Sequence, residues 1–116
     1  LLDAAVQPGP EGSTVLDPAA AAPALYADCP PRAISAALDR LSPQPIASVV
    51  QPASGSPLGR VPSTYVECLR DRAVAPSHQA LMAQRCDRSV QFDCDHSPFL
   101  SRTEDTADLL YRLARG

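Results

Sequence analysis

Val61–Arg85, VPSTYVECLRDRAVAPSHQALMAQR, and Val90–Ala114, VQFDCDHSPFLSRTEDTADLLYRLA, decide the fold of this chain. Ser63–Leu69 is rich in β-branched and aromatic residues and is bounded by Pro62 and the charged Arg70–Arg72, the signature of a buried strand. Pro76 suits the first position of a helix, and Ala80, Leu81 and Met82 fill its interior up to Arg85. Ser89–Cys94 predicts a second short strand. Ser101 and Glu104 stand at capping-box spacing, opening a helix that shows Ala107, Leu110, Leu113 and Ala114 on one face and stops at Gly116.

The order is strand, helix, strand, helix. About 19 residues, a helix among them, separate the two strands, which is a crossover length and implies that they run parallel. A parallel pair needs cover on both faces. Two strands and two helices do not supply it, so the sheet is expected to hold more strands than this chain provides. Ligands of open parallel sheets gather beyond the carboxyl ends of the strands. Asp71 lies past the end of the first strand and His96 past the end of the second. With neighbouring strands about 4.8 Å apart, the carboxylate can reach a ring nitrogen of the imidazole. Asp95, adjacent to His96, is expected to point away from it as a turn residue.

Toward the amino terminus the texture changes. Eleven of the thirteen prolines lie within residues 1–62, so this half is punctuated by turns and the rest is free to form longer elements. QPGPEGS (Gln7–Ser13) is a turn cluster between two apolar runs, fit for a hairpin or an irregular excursion. Ile34, Ala37, Leu38 and Leu41 recur at helical spacing, predicting an amphipathic helix that starts near Pro31 and stops before Pro43.

Bulk composition narrows the function classes. A chain of 116 residues has one-domain length, and a compact domain of that size buries roughly two-thirds of its unfolded surface. All ten basic residues are Arg and the net charge is -3, with the signs interspersed and no basic stripe for a nucleic-acid backbone. No apolar run approaches the roughly 18 residues of a membrane span. LLDAAVQPGP has neither the basic nor the apolar region of a signal peptide, so the expected location is cytoplasmic, with Cys29, Cys68, Cys86 and Cys94 as reduced thiols, mostly buried.

The two quoted segments resemble the carboxyl-terminal part of the α/β-hydrolase family, in particular the branch of plant methyl esterases and hydroxynitrile lyases with their bacterial esterase-like relatives. ALYADCPPRAISAALDRLSPQP (Ala24–Pro45) is similar to the end of that branch's helical cap. The resemblance implies an α/β fold made of a cap segment over residues 1–60 and, over 61–116, the last two parallel strands of the core with their helices. It implies Asp71 as the triad acid and His96 as the general base, with Leu25, Tyr26, Ile34 and Phe99 around an apolar part of a small-molecule ester. No cofactor or metal is implied. Hydroxynitrile lyases of the branch carry a lysine directly after the histidine, whereas Ser97 stands there in a chain without lysine, which favours ester hydrolysis.

One component is missing. The serine of this fold sits on a G-x-S-x-G elbow ahead of the acid and the base in the chain. The nearest string, SGSPLG, has Pro57 midway between Gly55 and Gly59, and proline has no hydroxyl. Ser13, Ser54 and Ser56 read as turn residues. The expectation is therefore the carboxyl-terminal portion of an ester hydrolase, inactive alone and dependent on the amino-terminal part of the fold. The alternative is a hydrolase-like binding protein without catalysis. A metal site using Cys68, Cys86, Cys94 and His96 does not match structural zinc spacings, and a Cys94 nucleophile is disfavoured because adjacent residues of an extended chain project to opposite sides.

Overall fold

The structure, a computed structural model, describes residues 2–55 and 58–116; Ser56 and Pro57, and with them the middle of SGSPLG, lie outside the described residues. The chain opens on a single turn of helix, α1 (Leu2–Ala5), and a hairpin of β1 (Val6–Pro8) and β2 (Ser13–Leu16). The Gln7–Ser13 cluster makes the hairpin turn: Glu11 and Gly12 take left-handed φ values of 50° and 73°, a region that glycine enters without steric cost.

α2 (Pro18–Leu25) follows, a helix not anticipated from the sequence. Its start is well specified, because the Asp17 side chain accepts the Ala19 N–H and Pro18 stands at the first position. Pro23 obscured it: an interior proline removes one helical hydrogen bond, and here the alanine run and its burial outweigh that loss. α3 (Pro31–Leu38) falls where periodicity placed it, with Ile34, Ala37, Leu38 and the following Leu41 turned toward the core. β3 (Gln44–Pro45) adds to β2 antiparallel, and α4 (Ala47–Val50) closes this half.

The core of the first half is built on small residues. Ala5, Ala21 and Ala24 are fully buried, which lets α1 and α2 approach closely, and Leu25, Tyr26 and Cys29 complete the cluster. Ala73 and Leu100, from the second half, pack on the same cluster. The proline-rich segment is thus seated directly on the loops that follow the two predicted strands.

Those strands are β4 (Thr64–Cys68) and β5 (Arg88–Phe92), joined through α5 (Pro76–Ala83) and paired in parallel, Cys68 opposite Phe92. At the entry end, Ser63 donates from its backbone N–H and hydroxyl to Asp87, holding that carboxyl below its ordinary range. At the exit end the ladder runs past the strands. Leu69 N–H bonds Phe92 C=O and Arg70 N–H bonds Cys94 C=O, each at 2.9 Å. Asp71 and His96 therefore leave the sheet side by side. β4 and β5 form a two-stranded sheet among the described residues, and β4 is half-buried rather than covered.

The last helix differs from its expected form. The capping box is absent, since the chain forms a short α6 (Pro98–Ser101), breaks at Arg102 (φ -134°, ψ 51°) and resumes as α7 (Thr103–Ala114) with no side-chain cap. The Ser101 hydroxyl is taken instead by the Asp95 carboxylate. On α7 the buried residue is Leu109, while Leu110 and Leu113 of the expected apolar face are exposed, at 61% and 40%. That face is amphipathic as predicted but has nothing packed on it among the described residues.

Close packing of α1 on α2 makes a prediction. Ala24→Leu has no void to fill, so it is expected to lower the unfolding free energy by about 1–3 kcal/mol, measured from the urea midpoint. An unchanged midpoint would show that the alanine contact is loose.

Candidate active site

The exit end of the parallel pair buries a carboxylate and answers each of its oxygens. The Asp71 side chain is 4% exposed. Its Oδ1 accepts the backbone N–H groups of Ala73 at 2.7 Å and Val74 at 2.9 Å, so the turn after β4 closes on its own acid. Its Oδ2 accepts Gln79 Nε2 at 3.1 Å and the His96 ring nitrogen Nδ1 at 2.8 Å. With the carboxylate as acceptor, Nδ1 carries the proton and Nε2 is left with the basic lone pair. The imidazole is 35% exposed, so it is anchored on one side and reachable on the other.

Gln79 was not anticipated from the sequence. It is 2% exposed on α5, where its Oε1 accepts the Cys68 N–H at 2.8 Å and its Nε2 also faces the carbonyls of Cys68 and Val74. One amide thus ties the end of β4, the turn and the acid to the helix that follows. The sequence signal was a polar residue in phase with the buried Ala83, one helical turn away.

Asp95 corrects an expectation. It does form a turn, accepting the Ser97 N–H through Oδ1 at 3.1 Å, yet it is only 1% exposed and has further partners. Oδ1 also accepts the Ser101 hydroxyl at 2.7 Å, and Oδ2 accepts the Asp28 N–H at 2.9 Å and the Cys29 thiol at 3.5 Å. Burial pushes this carboxyl up, but the Asp28 N–H, the Ser101 hydroxyl, the Ser97 N–H and the Cys29 thiol together hold it below its ordinary value. The nearby thiols go the other way. Burial pushes Cys68 and Cys29 up to about 12 and raises Cys94, which is fully buried with its Sγ on the Asp95 carbonyl. They remain protonated and pack as small apolar groups.

Of the residues expected around a substrate, Tyr26 and Phe99 line an open groove of about 530 Å³ together with Ala33, Ala36, Leu41 and Leu100. Leu25 and Ile34 do not line it. Leu25 is buried in the core cluster and Ile34 packs against it, so both support the wall from behind. No group of three or more His, Cys, Asp or Glu suited to a metal ion occurs among the described residues, and no helix among them is long and apolar enough to cross a membrane.

Two measurements check this geometry. Gln79→Leu strands buried backbone groups of Cys68 and Val74, and is expected to cost roughly 3 kcal/mol of stability by denaturant titration. Acid should also weaken the fold. A carboxyl whose folded value is depressed contributes stability that is complete above its unfolded value, about 3.9, and is lost as pH falls through the folded one. The melting temperature should therefore fall as the pH drops below about 4, and the acid limb should be shallower in Asp95→Asn, with the part due to Asp87 retained.

Comparison with known proteins gives the arrangement its context. No family model matches the chain. The α/β hydrolase nvfD of Aspergillus novofumigatus is 32% identical over 109 residues, covering 90% of this chain and 42% of that protein. Among solved structures, polyneuridine aldehyde esterase superposes with a TM-score of 0.77 at 18% identity, over 94% of this chain and 47% of the esterase. The Arabidopsis methylesterase MES16 gives 0.72 at 20% identity over 93% and 49%, and the pyrethroid hydrolase PytH, as its H230A variant, 0.76 at 17% over 97% and 47%. The chain spans about half the length of each of these relatives. With its parallel strand pair, crossover helix and helical amino-terminal segment, the chain has the carboxyl-terminal part of an α/β-hydrolase fold.

Proposed function

We propose that this chain supplies the general base and the orienting acid of a carboxylic ester hydrolase, His96 and Asp71, to a serine that lies outside residues 1–116. The observation that carries the proposal is the 2.8 Å contact between His96 Nδ1 and a carboxylate whose other lone pairs are already occupied. Such an acid cannot rotate away. It fixes the imidazole tautomer, and its charge stabilises the imidazolium formed when Nε2 takes the serine proton. The serine oxygen attacks the ester carbonyl, His96 returns the proton to the leaving alcohol, and water releases the acyl group by the same relay.

Residues 1–60 act, on this reading, as a cap over the site and residues 61–116 as the end of the core. The Tyr26–Phe99 groove fits a small-molecule ester with an apolar part, Phe99 lying three residues beyond the base. No lysine follows His96, which favours hydrolysis over cyanohydrin cleavage. The exposed apolar side chains of Leu69, Leu81, Leu110 and Tyr111 support a further partner, the amino-terminal part of the fold, against which the sheet and its helices would be covered.

The purified 116-residue chain is expected to show no turnover of p-nitrophenyl acetate. Joined to the amino-terminal half of a related hydrolase, it should turn over the ester, and His96→Ala should lower kcat by about 10⁴-fold or more. Turnover that survives His96→Ala would end the proposal, and no turnover by the joined protein would favour a hydrolase-like binding protein.

A further inference from the structure

Asp95 does more than shape a turn, and its connections form a closed circuit around the proposed acid–base pair. Arg70 immediately precedes Asp71, and its Nη2 lies 3.2 Å from the Asp28 carboxylate. The Asp28 backbone N–H donates to Asp95 Oδ2 at 2.9 Å, Asp95 is bonded to His96, and His96 Nδ1 returns to Asp71 at 2.8 Å. Arg70 also braces the far side, with Nε 3.1 Å from the Asp93 carboxylate. The only wholly buried charge in this circuit outside the pair itself is Asp95. The ion pairs of Arg70 lie at the surface, where such contacts contribute little.

The two oxygens of Asp95 divide their work. Oδ1 accepts the Ser97 N–H and the Ser101 hydroxyl, bracketing His96 between the carboxylate and the start of α6. Oδ2 accepts the Asp28 N–H and the Cys29 thiol, which lie two and three residues beyond Tyr26, a wall of the groove. One buried side chain therefore holds the base-bearing loop with one atom and the groove wall with the other.

We propose that Asp95 is a positioning residue that sets the catalytic imidazole and the substrate groove in one register, through Oδ1 for His96 and Oδ2 for the Asp28–Cys29 segment. The proposal rests on the ester-hydrolase reading of the site. It makes the amino-terminal segment part of the catalytic geometry, because a displaced Tyr26 wall and a displaced His96 are coupled by a buried charge that cannot be left unpaired. A shift of about 1 Å in such an arrangement costs on the order of 10²-fold in rate.

The test uses the intact hydrolase carrying this chain, with p-nitrophenyl acetate as substrate and the downfield Nδ1–H proton resonance of His96 as a second readout, assigned by its loss in His96→Ala. Asp95→Asn keeps an acceptor for Ser97 and Ser101 but puts an NH₂ against the Asp28 N–H. It is expected to keep the resonance and kcat while KM rises about tenfold. Asp95→Ala removes both attachments, and should lose the resonance and drop kcat about 100-fold. Leu109→Ala, a buried α7 variant beside Ser63 at the entry end of the strands and outside this circuit, controls for stability alone, and should keep both kcat and the resonance despite a lower melting point.

Asp95→Ala with kcat and KM within about twofold of the unsubstituted protein and the resonance retained would overturn the positioning role, as would a kcat loss in Leu109→Ala equal to that in Asp95→Ala. If Asp95→Ala does not fold, Asp95→Asn decides: an unchanged KM overturns the proposal. Turnover that persists in His96→Ala defeats the hydrolase reading instead, and the resonance in the two Asp95 variants then decides the positioning role without reference to activity.

Discussion

A carboxylate taken out of water must have its lone pairs answered, or it will not stay charged. Among its described residues this chain buries two of them, Asp71 and Asp95, at the same end of one parallel strand pair. Much of the local architecture follows from meeting that demand. The turn after β4 folds back so that Ala73 and Val74 present their N–H groups to Asp71, and α5 turns Gln79 inward to complete the shell. The loop after β5 tightens on Asp95, draws in the Ser101 hydroxyl and breaks the last helix at Arg102 in doing so. The segment after α2 supplies the remaining donor from Asp28. The first half is tied to the second by a hydrogen bond to a buried charge, as well as by Ala73 and Leu100 packed on its core.

Meeting that demand also fixes the imidazole beside Asp71. Asp71 has one oxygen shared between a fixed amide and the imidazole, which is held on that oxygen while remaining 35% exposed. The same burial that fixes the acid suppresses the competing chemistry nearby. Three thiols crowd this end of the sheet, and removal from water keeps them protonated and inert. Around the His96–Asp71 contact, sulfur therefore acts as packing.

The apolar surface has the opposite character. The first-half cluster is closed over small residues, whereas Leu69 just after β4, Leu81 on α5 and Leu110 and Leu113 on α7 are exposed. The faces that carry them belong in the interior of an α/β sheet covered on both sides. The chain spans about half the length of the relatives it matches, and the exposed leucines among the described residues all lie in its second half.

By itself the sequence determined the strand, helix, strand order of the second half and its direction, though not the break in the last helix. Proline spacing, β-branched runs and a crossover length sufficed for two parallel strands with Asp71 and His96 at their ends, because these are properties of short segments and of chain connectivity. It also determined α3, from periodicity alone. Only the tertiary structure decided which polar side chains would be buried. Asp95 and Ser101 read locally as a turn residue and a helix cap and Gln79 carried no local role, yet each is buried or bound by partners the local pattern did not show, Asp95 reaching Asp28 across 67 positions of the chain. Pro23 likewise argued locally against α2, and burial of Ala21 and Ala24 overrode it. Local propensities differ by a kcal/mol or less, roughly, whereas an unanswered buried charge costs several, so where the two conflict the long-range contact prevails.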